Sequence, residues 1–306
     1  MSVAATKELI TRTTLAELNT LRDQPGWLRL LTHLFTIAAG GLIWRLTDLP
    51  LLLRLCGLLI SGIALACCFA GLHECCHRTA FRSKRLNDAV AWLMGLLSFY
   101  NATFYRRYHQ WHHRYTHLPG LDPELEDPVP TNALAYAVEI SGINWWIGKC
   151  RGYGRLLWGD LSGLPYLSPE VIPQVRRSVR LQFAVYAGLL VLSLIQANGL
   201  LLTSWLLPLA VGQPFLRFML LAEHTGCDYS ADGLANTRTT LTNAPVRWLM
   251  WNMPFHAEHH LYPSLPFHAL PKAHRWIAPR LQHLDQGYLA VHARLLLRLA
   301  QLGQPA

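Results

Sequence analysis

"LCGLLISGIALACCFAGLHECCH", residues 55–77, joins two signals in one continuous stretch. Residues 55–72 carry no charge, and a membrane-spanning helix needs about 20 predominantly apolar residues. The run then delivers His73-Glu74-Cys75-Cys76-His77 with no turn residue in between. As H-E-x-x-H these residues match the zinc-hydrolase helix, with Glu74 as general base. As two histidines four apart they fit any metal site borne on a helix, because such residues share a face. The rest of the chain has to decide which.

The 306-residue chain is 52% apolar and only 15% charged, whereas a soluble domain carries about 25% charged residues. Residues 181–216 contain no charge, enough for two spans with a turn at "QANG", Gln196–Gly199. A weaker run lies at "LLTHLFTIAAGGLIWRLT", 30–47. The expected fold is an all-α integral membrane domain over 30–276. Its four spans lie at about 30–47, 55–72, 181–196 and 200–222. The segment 1–29 is polar, with Lys7, Glu8, Arg12, Glu17, Arg22 and Asp23 and no signal-peptide pattern. Within it "TLAE", Thr14 to Glu17, predicts a capping box. The tail 277–306 contains the amphipathic "YLAVHARLLLRLAQL", 288–302, which suits a bilayer surface or a packed cap.

A fifth stretch, "AVAWLMGLLSFYNATFY", 89–105, is less clear. If it crossed the membrane, His73 and His77 would face the opposite side from the later histidines. It is therefore expected to lie in the interface or to dip in and return.

The net charge is +9, and residues 73–180 hold 13 Lys and Arg. The opposite loops hold Arg45 and Arg54, with none in "QANG". The positive-inside rule places both termini and residues 73–180 in the cytoplasm, with a bacterial inner membrane as the expected setting. The positive charge then reads as topology and attraction to anionic lipid, not as a nucleic-acid surface. Seven cysteines, two vicinal pairs among them and no C-x-x-C, fit reduced thiols. Trp145-Trp146 and Lys149 are expected to anchor at the interface, and His33 to be a hydrogen-bonded core residue.

Fifteen histidines are present, and nine form a pattern. "HECCH" gives His73 and His77, "HQWHH" gives His109, His112 and His113, and "HAEHH" gives His256, His259 and His260. His224 stands in "AEHTG", just after the fourth span. Spacings of three and four put each cluster on one helix face. Zinc takes four ligands, or three plus water in a catalytic site, so nine imidazoles are too many for one zinc and suit two metals. Imidazole binds Zn, Cu, Fe and Ni alike, so ligand type does not choose. Two adjacent metals in a membrane suggest iron and oxygen chemistry. A zinc hydrolase on "HECCH" leaves the other two boxes unexplained. A soluble di-iron carboxylate bundle needs two Glu-x-x-His motifs, and Glu74-x-x-His77 is the one match.

The boxes, their order and their place among four spans resemble the integral-membrane fatty acid desaturase family, which also holds hydroxylases and carotenoid-modifying relatives. The most specific stretch is "WNMPFHAEHHLYPSLPFHALPKAH", 251–274, supported by "HECCHRTAF" and "YHQWHHRYTH". The resemblance covers roughly residues 60–276. It implies a non-haem di-iron centre at the cytosolic face that uses O2 and two electrons to attack an unactivated C–H bond. The implied ligands are His73, His77, His109, His112, His113, His224, His256, His259 and His260. Asn252 is a candidate water-mediated ligand. Glu74, Asp88, Glu223, Asp228 and Glu258 are candidate partners for the second nitrogens of the ligands. Asn236, Arg238 and Asn243 are candidates to cap the site.

Three departures bear on the inference. "RYTHLPGLDPE" after the second box is closer in flavour to carotenoid-modifying relatives. No "HPGG" haem signature occurs, so electrons are expected from a separate ferredoxin- or cytochrome-type donor. The boxes do not encode the substrate or the position of attack. The expected function is desaturation of a fatty acyl chain in a lipid or thioester. The alternatives are a di-iron hydroxylase or ketolase of a lipid or carotenoid and, remotely, the zinc hydrolase.

Overall fold

Helices α1 (Arg12–Leu18), α2 (Asp23–Arg45), α3 (Leu51–His77), α4 (Lys84–Ser98) and α5 (Ala102–Tyr115) come first. Next are α6 (Ala133–Ser141), α7 (Ile143–Trp158), α8 (Ile172–Ile195) and α9 (Leu207–His224). α9 is entered through a π turn at Leu202–Leu206. Strand β1 (Thr239–Leu241) precedes α10 (Ala244–Leu249), α11 (His256–Leu261) and α12 (Leu270–Ile277); β2 (Leu284–Gln286) and α13 (Tyr288–Leu302) close the chain. This computed structural model describes residues 9–126, 129–197 and 199–302. The expectations for residues 1–8, for Asn198 and for 303–306 lie outside the described residues.

Among the described residues, four helices are long and apolar enough to cross a membrane: Asp23–Arg45, Leu51–His77, Ile172–Ile195 and Leu202–His224. All four overlap the expected spans, and α2, α3 and α8 begin four to nine residues earlier than the apolar runs do. The extra turns are capped locally. Pro50 precedes α3, where its missing N–H is no loss, and Asp23 stands in the first turn of α2. The lipid-facing surface is apolar, with Phe35, Leu52, Leu194 and Ile195 all exposed. This is a membrane protein, and its exposed leucines are what a bilayer solvates.

α3 is the central post. Its residues 61–76 are buried, with one partly buried exception at Ile63, and it packs against α2, α4 and α9. His33 of α2 is a hydrogen-bonded core residue: its Nε2 lies 2.8 Å from the Ala64 carbonyl, and the Trp251 indole donates to its Nδ1 at 3.3 Å.

The stretch 89–105 does not run on as one helix. Phe99 adopts the left-handed conformation and ends α4, and the Asn101 side chain accepts from Phe104 N at 3.0 Å to start α5. The chain turns back at residues 99–101, which returns the second histidine box to the end of α3.

Two local expectations need correction. α1 is capped by Thr11, whose hydroxyl accepts from Thr14 N, so the helix starts before "TLAE". Trp145 is buried and bonds the Tyr100 hydroxyl, so it belongs to the core and not to an interfacial belt. The all-α fold carries one short parallel ladder, in which β1 pairs with β2 and Thr239 faces Leu284. That ladder ties the third histidine box to the tail.

Candidate metal centre

His73 and His77 end α3, the second box lies on α5, His224 ends α9, and the third box lies on α11. Trp251 and Asn252 both hold positive φ, 52° and 60°, just before α11. This is costly for a bulky residue. The double turn swings α11 onto the ends of α3 and α5.

The nine imidazoles gather into two adjoining clusters. One nitrogen each of His73, His77, His109, His113 and His259 lie within 4.8 Å of one another. His112, His224 and His260 form a second such group. His256 joins the second group, its Nε2 lying 3.2 Å from that of His224 and 3.1 Å from that of His260. The His113 and His260 rings stack at 4.1 Å and link the clusters.

The donor set fits metal binding. Buried polar atoms normally find a partner, yet Nε2 of His73 and of His77 are buried with no hydrogen-bond partner among the described residues. In the first cluster His109 and His113 bring Nε2 atoms to 2.9 Å, and His113 and His259 to 3.1 Å. Burial, then crowding by neighbouring histidines, pushes His109, His113, His256, His259 and His260 well below the ordinary imidazole value. These rings are therefore neutral near pH 7 and carry a lone pair for a cation.

In the second cluster three second nitrogens are anchored. His112 Nδ1 lies 2.9 Å from Asp122, His224 Nδ1 lies 3.1 Å from the Asn236 carbonyl, and His260 Nδ1 lies 3.1 Å from the Thr116 hydroxyl. The Asn236 carbonyl only accepts, so His224 Nδ1 carries the proton. The Thr116 hydroxyl donates to the His112 carbonyl, so it accepts from His260. Nε2 is then bare on both rings and on His112. In the first cluster Nδ1 of His109, His113 and His259 is buried with no such partner.

The candidate carboxylates are used unequally. Glu223 approaches His256 Nε2 at 3.4 Å. Glu258 is fully buried and accepts from His274 and from Thr239, both at 2.5 Å. It therefore braces α11 from behind, through His274. Glu74 accepts from Thr79 at 2.6 Å and from Phe267 N at 3.0 Å, and Asp88 is taken by Arg78 and Arg106. The Asp228 carbonyl receives His117, and its carboxylate lies 3.4 Å from His283. Asn252 donates its amide to the Phe267 carbonyl at 2.9 Å. Arg238 caps the end of α9, and Asn243 caps α10.

Sequence reasoning missed Asp122, Glu124 and Thr116. Glu124 lies 3.6 Å from His112 Nε2. The signal for the carboxylates is the acidic run "LDPELEDP" that follows the second box.

The model of the fatty acid desaturase family matches residues 49–292. Over 226 residues the chain is 30% identical to the sphingolipid delta(4)-desaturase/C4-monooxygenase of Rattus norvegicus, which covers 70% of this chain and 62% of that protein. It is 26% identical over 280 residues to the sn-1 oleoyl-lipid 12-desaturase of a Picosynechococcus species, covering 84% of this chain and 77% of that protein. The chain thus spans less than two thirds of the length of the mammalian relatives it matches.

Proposed function

The chain belongs to the fatty acid desaturase family, and from that premise we propose that it is an O2-dependent desaturase of a membrane lipid, with two iron ions in the histidine clusters. The observation that carries this reading is the gathering of nine imidazoles in two adjoining groups where two long apolar helices end. His73, His77, His109, His113 and His259 would hold one ion, and His112, His224, His256 and His260 the other. Iron, when bound, supplies the oxidising power to break an unactivated C–H bond. Overall, two hydrogens leave adjacent carbons and, with two electrons from a separate donor and two protons, would convert O2 to two waters.

The protein's own groups bind, orient and exclude water. Asp122, Asn236 and Thr116 hold their histidines in one tautomer. The buried site keeps bulk water from a reactive centre. The lipid reaches it from the bilayer, where an acyl chain already resides. The basic end of the molecule, with residues 73–180, faces the cytoplasm, and there a separate ferredoxin- or cytochrome-type protein delivers electrons. The relatives, named as sphingolipid and oleoyl-lipid desaturases, favour a chain carried on a lipid.

Hydroxylation is the second reading, favoured by the same names, since the mammalian relatives are both desaturase and monooxygenase. The site would be the same, and an alcohol would replace the double bond. A zinc hydrolase on "HECCH" is disfavoured because Glu74 is spent on Thr79 and Phe267. The test is mass spectrometry of lipids from a host expressing the chain with a matching electron donor, against His109→Ala. New double bonds in the active strain alone support desaturation, and new hydroxyl or keto products support the second reading. Identical lipids in both strains sink both.

A further inference from the structure

The inner face of α9 carries polar groups that the metal clusters leave unexplained. Gln213, Arg217 and His224 are spaced by four and seven residues, so they share one stripe of the helix. Gln213 is 0% exposed, and among the described residues neither its amide nitrogen nor its amide oxygen has a hydrogen-bond partner. The Nε of Arg217 is likewise buried with no partner. Buried polar groups normally find a partner, so the pair marks a place built for something else.

The surroundings say what that is. Arg217 Nη2 donates to the Tyr100 hydroxyl at 3.2 Å, and the Trp145 indole donates to the same oxygen at 2.9 Å. Lys149 Nζ lies 3.1 Å from the Tyr100 ring centroid. Two cations therefore flank one phenol. Arg217 forms no ion pair among the described residues; Glu223 is in its electrostatic reach and lies against His256. By helical rise Arg217 is on the order of 10 Å from His224 along α9. It is also near the metal ligands laterally: Phe69 is 4.8 Å from the Tyr100 ring and 6.2 Å from the His73 ring.

We propose that Gln213 and Arg217 form a recognition site for an anionic oxygen of the lipid substrate, a carboxylate or a phosphate. The guanidinium fork suits either group, and the Gln213 amide adds a donor. The assignment rests on the lipid-desaturase reading and deepens it. Held there, the head group lies one aromatic ring from the first histidine cluster, so attack falls on the head-proximal part of the chain.

The test is binding without turnover. The full chain in detergent is titrated by native mass spectrometry with oleate, phosphatidylglycerol and methyl oleate. The wild type is expected to prefer an anionic lipid to methyl oleate. Arg217→Gln should weaken that lipid about ten- to a hundred-fold, as loss of a charge-assisted bond does. Arg217→Lys should retain most of the binding, and Gln213→Leu should weaken it while removing no charge. Thermal melting of each variant reports folding. Loss with oleate alone identifies a carboxylate, and loss with phosphatidylglycerol alone a phosphate. Equal binding of all three lipids, or anionic binding untouched by both Arg217→Gln and Gln213→Leu, overturns the site. A protein that binds as stated and makes no new double bond or alcohol overturns the desaturase reading and keeps the site.

Discussion

The Nδ1 of His112 lies 2.9 Å from an oxygen of Asp122, and both side chains are 1% exposed. Asp122 also accepts from the backbone of His117 at 2.7 Å and of Glu124 at 3.0 Å. Burial alone would depress the His112 imidazole, but Glu124 and Asp122 outweigh it and raise it. Asp122 is therefore a fixed negative wall behind one ligand of the proposed second metal. Asp122→Asn keeps the shape and removes the charge. Such partners are typically worth 10–100-fold in metal affinity, and a loss of about that size is expected. Metal content after dialysis against a graded chelator measures it, with Asp88→Asn as the control. Equal retention in both variants would sink the assignment.

The crossing of α3 and α9 sets the distance between clusters. A Cβ on Gly212 would meet the Gly62 carbonyl, and one on Gly62 would lie 2.2 Å from the Pro208 carbonyl. The two backbones touch there, as small residues allow in membrane helices. Gly212→Ala has to push α9 away from α3, and overpacking of this kind costs about 1–3 kcal/mol. It should lower the melting temperature and the metal content together, because His73 and His224 ride on the two helices. Gly188→Ala on α8, where nothing lies within 4 Å, should leave both unchanged.

Much of this architecture was legible in the sequence, for physical reasons. A bilayer demands long apolar helices, so four apolar runs pointed to four of them. Metal ligands on helices need spacings of three and four, so the nine histidines stood out and the structure draws them together. The rest depends on contacts distant in sequence. His274 reaches Glu258 across 16 residues, and Asn236 reaches the Thr116 carbonyl across 120. No local pattern encodes such pairs. Asp122 sat ten residues from His112 in a loop, where an acidic run usually means solvent. The division into a cluster of five and a cluster of four depends on helix crossings that periodicity leaves open.

Arg238 joins the end of α9 to the tail. Its Nη1 donates to the carbonyls of Ala222 and Thr225, and its Nε pairs with Asp285 at 2.9 Å. These carbonyls are among the last of the helix that ends in His224, and they have no intrahelical donor. Arg238→Gln removes a buried cation from three acceptors. A loss of about 2–4 kcal/mol is expected, moderated because Arg294 still pairs with Asp285. Asp285→Asn should cost less, since the helix cap survives. Thermal unfolding of both variants in one detergent checks the order, and the reverse order would refute the capping role.

Acid should unfold the metal-free protein through its histidines. Burial first, and mutual repulsion second, holds His109, His113, His256, His259 and His260 well below 6.5 in the fold. The unfolded chain takes up protons near 6.5, and the folded one does not. Stability from these groups is therefore present above 6.5 and lost as pH falls below it, by up to about 1.4 kcal/mol per pH unit for each histidine. His112 acts oppositely: its raised value favours the fold below 6.5 and is lost as pH rises through it. One group against five does not reverse the sign. Depressed carboxylates such as Asp88 act only near and below about pH 4, a separate window. The melting temperature of metal-free protein should hold from pH 8 to 7 and drop steeply between 6.5 and 5. Protein loaded with iron should hold to lower pH, because the metal competes with protons for the same nitrogens. A flat metal-free profile from pH 8 to 5 would show that these imidazoles are not buried and neutral together.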